Sequence, residues 1–292
     1  MNLSARDRTE SLGEGVREDR FRIGSEEHKQ LFCHMLLDSF DPYKPAVIDW
    51  PKLSGDDLHR LTSLPFWRIA VETEGHAAIT MQTAADEMAD PLIREAVALN
   101  AFEERRHKDV LHNMLRFYGI DIGAEPPYPA PPNAEWAYIK TGYGECFDSF
   151  FAFGLFALAK QSGFFPAALV EVFEPVIQEE ARHILFFVNW IAYARVNRPL
   201  WRRPAFRGRC LYALARKAAS RLQLAKGANA NSDMTRRGHE AIGIDLSPGK
   251  FMDLCLSEND RRMARYDPRL LRPEALPRMI RLARPLLGRA AP

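Results

Sequence analysis

The sequence predicts an all-α protein: a four-helix bundle with a long crossover between its second and third helices, followed by a helical C-terminal extension. Three observations carry this. Strand signals are nearly absent, and apolar residues recur at helical spacing, as in the stripe Trp67, Val71, Ala78, Met81, Ala85 and Met88. The pentapeptide Glu-Glu-x-Arg-His occurs twice, as Glu103-Glu104-Arg105-Arg106-His107 and as Glu179-Glu180-Ala181-Arg182-His183, each inside a long helical pattern.

Residues 1–25 are polar and rich in charge and are expected to form a disordered tail. Residues 26–64 read as a helical arm, either a lid or a packing segment: a helix from Glu26 to Phe40, a connection through Pro42, Pro45 and Pro51, and a short helix near Asp56 to Leu61. The bundle spans residues 65–196, with helices over 66–88, 91–118, 138–161 and 166–196. Asp90 is the N-cap of the second of these with Pro91 at its first position, and Gly119 stops it. The link from Asp121 to Asn133 holds Pro126, Pro127, Pro129, Pro131 and Pro132 and must be extended. Residues 197–292 form the basic extension: a helix near Phe206 to Lys226, a loop rich in Gly and Asn, a helix near Pro248 to Arg265 and a last helix near Pro273 to Leu287.

At 292 residues and 47% hydrophobic, the chain can bury a sizeable core, but two full catalytic domains do not fit. Its net charge of +2 hides an uneven distribution, since no Asp or Glu occurs from Ala181 to Ser232 while Lys and Arg are frequent there. That stretch is either a solvated helix face or a docking surface for phosphate, anionic lipid or an acidic protein. The four cysteines, Cys33, Cys146, Cys210 and Cys255, form no Cys-x-x-Cys pair, which disfavours a disulfide framework or a zinc ribbon. A cytoplasmic location is expected, because no export signal and no membrane span are visible.

Residues three apart on a helix share a face, so Glu104 with His107, and Glu180 with His183, can each offer an oxygen and a nitrogen to one ion. Each copy is preceded by a further glutamate, Glu74 or Glu145, at the distance a helical hairpin requires. Glu74 lies roughly 15 residues before the Ala89-Asp90-Pro91 turn and Glu104 roughly 14 after it, so both stand about 21 to 23 Å from the bend. Glu145 and Glu180 flank the break Ser162-Gly163-Phe164-Phe165-Pro166 in the same way. Glu72 competes with Glu74, but Glu74 is in register with the apolar stripe. An exposed carboxylate beside a histidine explains either copy alone; the doubling, with both hairpin partners in register, argues for a two-metal site.

Four carboxylates and two imidazoles in a bundle core are costly to bury unless they bind cations. The mixed oxygen and nitrogen set suits two iron ions first and manganese second, as a mixed Mn/Fe pair or two Mn. Zinc prefers Cys and His, and calcium prefers oxygen alone. Phe147, Phe150, Phe151, Phe153, Phe156, Phe164, Phe165, Phe186 and Phe187 are expected to be mostly core, with some lining an apolar pocket beside the metals. Tyr143 is a candidate redox neighbour, and Cys146 is not a ligand on spacing grounds.

The pattern of a lone Glu followed by Glu-x-x-His, repeated, resembles the ferritin-like di-iron carboxylate superfamily of oxidases and oxygenases. The resemblance covers about 130 of the 292 residues. It implies a ferritin-like bundle in which Glu74, Glu104 and His107 form one ligand set and Glu145, Glu180 and His183 the other, with Glu104 and Glu180 bridging. Members often place a carboxylate that orients a ligand histidine's free N–H, which makes Glu103 and Glu179 candidates; pairing with Arg106 or Arg182 at the surface is the alternative. Asp148, one turn after Glu145, is a third candidate for that orienting role. Arylamine N-oxygenases carry a further histidine where this chain has Val176, and rubrerythrins append a Cys-x-x-Cys iron site that is missing here.

The expected function is a di-iron oxidase or monooxygenase that activates O2 to oxidise a small, apolar organic substrate, with electrons from a separate reductase. A ferroxidase or iron-handling protein is the alternative. So is a hydroxylase acting on tRNA, motivated by the basic stretch but unsupported by any RNA-binding motif. A fourth reading is peripheral membrane binding by the last helix, where Arg278, Arg281, Arg284 and Arg289 alternate with Leu276, Ile280, Leu282, Leu286 and Leu287. Docking of that helix on the bundle is preferred. The sequence leaves the oligomeric state open, a homodimer included.

Overall fold

A computed structural model describes residues 21–225 and 247–287, and all regular secondary structure among these residues is helical. The arm contains α1 (Glu26–Leu37) and α2 (Gly55–Thr62), started by Ser25 and Ser54, whose hydroxyls accept from the N–H groups of His28 and Asp57. Residues 1–20 of the expected tail lie outside the described residues. Residues 21–25 belong to the fold: the Phe21 ring meets His28 edge-on at 5.7 Å, and Gly24 O accepts from Asn197 Nδ2 at 2.9 Å.

The first hairpin is α3 (Trp67–Glu87) and α4 (Pro91–Phe117), joined at the expected cap, where the Asp90 carboxylate accepts from the N–H groups of Leu92 and Ile93. The next helix, α5 (Ala134–Ser162), starts earlier than expected, because Asn133 Oδ1 caps Trp136 N–H, and it ends at Gly163 in the left-handed region at φ 62°. The continuous helix expected over 166–196 is instead two helices, α6 (Ala167–Val172) and α7 (Glu174–Val196). Pro175, in the first turn of α7, has no N–H to continue the ladder, which breaks the run at Phe173. The remaining helices are α8 (Arg203–Ala225), α9 (Pro248–Met263) and α10 (Ala275–Leu287). The Gly- and Asn-rich loop expected between α8 and α9 lies outside the described residues.

Helices α3, α4, α5 and α7 pack around a shared interior, with α1 lying across α4 and α7. The main core joins Phe32 and Leu36 of α1, Met81 of α3, Val97 of α4, Tyr138 and Phe153 of α5 and Phe186 of α7. The arm is thus a packing segment. Asn189, fully buried, knits three parts of the chain: its side chain meets His28 Nε2 at 2.9 Å, accepts from Leu271 N–H at 2.9 Å and donates to Leu271 O at 3.0 Å. The crossover is pinned at Glu125, which takes Lys108 Nζ at 2.6 Å, His112 Nε2 at 2.7 Å and Tyr128 Oη at 2.6 Å. The Tyr128 ring lies so close to α3 that a Cβ on Gly75 would stand 2.5 Å from it.

The C-terminal helices dock on the outside of α5. Phe147, Phe150 and Leu158 of α5, Phe251 and Cys255 of α9, and Leu276 and Ile280 of α10 form one buried cluster. Arg281 and Arg284 of α10 pair with Asp260 and Asp253 of α9 at 3.0 and 2.6 Å, so the last helix is docked as preferred. Side chains 285–292, including Leu286, Leu287 and Arg289, lie outside the described residues. Contact between α5 and α9 depends on Gly154, where a Cβ would stand 2.2 Å from Cys255 Sγ and 3.2 Å from its Cα. Gly154→Val is therefore expected to destabilise the protein by about 1–3 kcal/mol, read as a lower thermal midpoint.

Within the described part of the acid-free stretch, several basic side chains are paired internally. Arg198 and Arg209 both meet Glu135, and Lys217 and Arg221 both meet Asp148. No helix among the described residues is long and apolar enough to cross a membrane.

Candidate metal centre

Each pentapeptide places two successive glutamates on a helix, about 100° apart around its axis, so they face different directions. Glu104 and Glu180 point into the interior of the bundle, where Glu74 of α3 and Glu145 of α5 join them. Glu74, Glu104, His107 and Glu180 each offer one ligand atom within 4.8 Å of the others, a group that could hold a metal ion. His107 Nδ1 lies 3.2 Å from Glu180 Oε1, 3.6 Å from Glu74 Oε2 and 3.8 Å from Glu104 Oε2. His183 Nδ1 lies 2.9 Å from Glu104 Oε1. The Glu104 carboxylate therefore approaches both imidazoles, as a bridging ligand would. Glu180 reaches across to the histidine of the other half, and its second oxygen accepts from Ser149 Oγ at 3.1 Å.

The opposite edge of each imidazole is held by the other pentapeptide. His183 Nε2 meets Glu103 Oε2 at 2.7 Å, and His107 Nε2 meets Glu179 Oε2 at 2.8 Å. Glu103 also takes Arg182 at 2.6 Å, and Glu179 takes Arg106 at 2.6 Å. Both expected roles of Glu103 and Glu179 thus coexist, but crossed between α4 and α7 and buried rather than at the surface. The two arginines then reach outward to the arm: Arg106 donates to Asp41 O at 2.5 Å, and Arg182 donates to Ser39 O at 2.8 Å. An Nε2–H fixed on a carboxylate leaves Nδ1 as the atom that can bind a cation.

Atoms facing the middle of the bundle fit a metal better than a hydrogen-bond network. Glu104 Oε1, His107 Nδ1, His183 Nδ1 and both oxygens of Glu145 are buried without a well-aligned hydrogen bond among the described residues, although His183 Nδ1 and Glu104 Oε1 stand 2.9 Å apart, whereas the outward Nε2 atoms are satisfied. Orphaned buried acceptors of this kind are rare unless an ion or water is shared among them. The donor set of carboxylate oxygens and imidazole nitrogens suits a first-row transition metal.

Electrostatics agree with a crowd of like charges. Burial, with repulsion from Glu104 and Glu180, lifts the Glu145 carboxyl well above its usual range. Burial pushes Glu74 up to about 8 against the pull of His107. Burial works against charging His107 and His183, but the surrounding carboxylates more than offset it and raise both well above the ordinary range. Raised groups hold protons in the folded chain that the unfolded chain has released. The metal-free protein is therefore expected to lose stability as pH rises from about 4.5 to about 8, checked by urea midpoints across that window. Metal binding displaces these protons, so the loaded protein should show the opposite slope.

Several sequence expectations resolve here. Glu72 faces outward and accepts from Arg68 at 2.7 Å, which leaves Glu74 as the inward residue. Asp148 orients no histidine; it is partly exposed and paired with Lys217 and Arg221. The polar side chain that does reach the cluster from α5 is Ser149, four residues after Glu145 and so on its face, a spacing the sequence reading passed over. Tyr43 of the arm was also missed; its hydroxyl donates to Glu179 at 3.2 Å and its ring lies 3.9 Å from the Arg106 guanidinium. Tyr143 packs on Phe187 at 5.1 Å.

Two cavities reach the cluster. One, of about 230 Å³, touches Glu74 and His107 and is walled by apolar residues that include Phe156, Phe165 and Val176. The other, of about 630 Å³, is a groove of mixed polarity between α3, α5 and the crossover that reaches Glu145 past Thr73, Thr80 and Thr141. Most of the remaining phenylalanines, among them Phe147, Phe150, Phe153, Phe186 and Phe187, are core. No family model, curated protein or solved structure matches the chain.

Proposed function

We propose that this protein is a ferritin-like di-iron enzyme, an oxidase or monooxygenase that uses O2 to oxidise a small apolar organic molecule. The observation that supports it most is the set of inward donor atoms without hydrogen bonds, set directly beside an apolar cavity. Glu74, Glu104, His107, Glu145, Glu180 and His183 would hold two ions, with Glu104 and Glu180 between them. When bound, reduced iron would supply electrons and open coordination positions for dioxygen.

The chain's own residues do the rest. Glu103 and Glu179 keep the N–H of each imidazole on Nε2, so that both Nδ1 atoms stay available. Arg106 and Arg182 balance those two carboxylates and tie them to the arm. Ser149 holds one Glu180 oxygen, which fixes the direction of the other. The apolar walls offer water no hydrogen-bond partner on the side where Glu74 and His107 meet the cavity. Electrons would come from a separate reductase.

The test is elemental analysis of protein purified without chelators, followed by optical spectra as oxygen is added to the anaerobic ferrous form. The expected result is two irons per chain and a transient absorption that depends on oxygen. Absence of metal after anaerobic loading with iron and with manganese would remove the reading.

A further inference from the structure

We infer that the cavity beside Glu74 and His107 selects a neutral aromatic hydrocarbon of one or two rings, with no charged or hydrogen-bonding handle. This rests on the proposed oxidative function for the word substrate, but the binding claim stands on the cavity itself. Its walls come from α2, α3, α4, α5, α6 and α7, and apart from Glu74 and His107 every lining residue is apolar. Those two belong to the metal cluster. The one further N–H in the wall, Trp67 Nε1, is engaged by Leu61 O at 2.9 Å.

A carboxylate or amide seated among these walls would leave water and gain no partner from them, since Glu74 and His107 are the polar lining residues and are taken up by the metal cluster, a loss that strongly disfavours it. Shape and dispersion are all that remain for recognition. Trp67, Phe156, Phe165 and Phe173 supply several ring faces and edges, which favour an arene over an alkane through edge-to-face contacts. Size sets the upper limit. A dry apolar cavity of about 150 Å³ accommodates benzene. The volume of about 230 Å³ leaves room for a short alkyl substituent or a second fused ring, and is below the range that holds drug-sized ligands. Because the polar edge is confined to Glu74 and His107, a ring seated here presents its C–H bonds to the cluster.

The experiment is calorimetric titration of the full chain, as purified, with toluene, naphthalene and benzoate, with metal content measured on the same samples. Toluene and naphthalene should bind saturably at one site per chain, and benzoate at least about 100-fold more weakly. Val176→Phe on α7 fills the cavity and should abolish toluene binding with metal content unchanged; Ala159→Leu on α5 fills it from another wall should the first variant fail to fold. Benzoate binding as tight as toluene, toluene binding that survives the folded filling variant, or no saturable toluene binding would each overturn the inference. Toluene binding in a chain that takes up no metal even after anaerobic loading with iron and with manganese would instead sink the di-iron reading and leave the cavity assignment intact.

Discussion

Arg106→Leu is expected to lower the unfolding free energy by about 3–5 kcal/mol, seen as a shift in urea midpoint, because it strands a buried carboxylate. Arg106 and Glu179 are each 3% exposed at the side chain and stand 2.6 Å apart. Removing the guanidinium leaves Glu179 with His107 Nε2, the Tyr43 hydroxyl and a longer contact of 3.6 Å to Arg182. The arm loses an anchor too, since Arg106 donates to Asp41 O and stacks on Tyr43. Arg182→Leu should behave alike, because Arg182 makes the matching pair with Glu103 and donates to Leu36 O and Ser39 O. Arg60→Leu is the control. Its partner Asp57 is one turn away and Arg60 is 38% exposed, so about 0–1 kcal/mol is expected. A loss below about 1 kcal/mol for both buried arginines would mean that the crossed pairs are not structural.

That crossing marks the limit of what the sequence can tell. The doubled Glu-x-x-His, its hairpin partners and the equal distances from each turn are one-dimensional facts; they single out Glu74, Glu104, His107 and Glu180, which the fold brings into one group, but they sort Glu180 into the other ligand set. Which helix Glu103 faces is a three-dimensional fact. From spacing alone its neighbour is Arg106, one turn on, and that contact exists at 3.6 Å. The closer partners, Arg182 and His183, come from a helix whose packing angle no local pattern encodes. Asp148 and Ser149 show the same limit at finer grain: a single residue, about 100° of helix, separates a surface ion pair from a hydroxyl on the cluster. The break at Phe173 was legible in principle, since Pro175 carries the signal, but the apolar periodicity runs straight through it. Which bundle helix α9 and α10 cover also escaped, because nothing local shows that Gly154 faces Cys255.

The largest functional effect is expected from the inward glutamates and histidines. Glu104→Ala and His183→Ala should each abolish stoichiometric metal binding while helix content by circular dichroism is retained. Glu104 is the one carboxylate near both imidazoles, 2.9 Å from His183 Nδ1 and 3.8 Å from His107 Nδ1. Under the proposed two-ion assignment, its loss would take a ligand from both ions at once. Helix content should survive, because removing Glu104 relieves its repulsion of Glu145 while it costs the support Glu104 gives to the charged form of His183, and the two effects oppose each other. The metal-free Glu104→Ala protein is therefore expected to stay folded near neutral pH with a urea midpoint close to that of the metal-free parent, whereas metal loading should stabilise the parent and not the variant. Glu72→Ala supplies the contrast. Glu72 lies on the same helix as Glu74 and two residues away, but its carboxylate is turned outward onto Arg68. It should keep full metal content. An essential Glu72 beside a dispensable Glu74 would show that α3 presents a different face to the metals, and the ligand set would have to be rebuilt from that register.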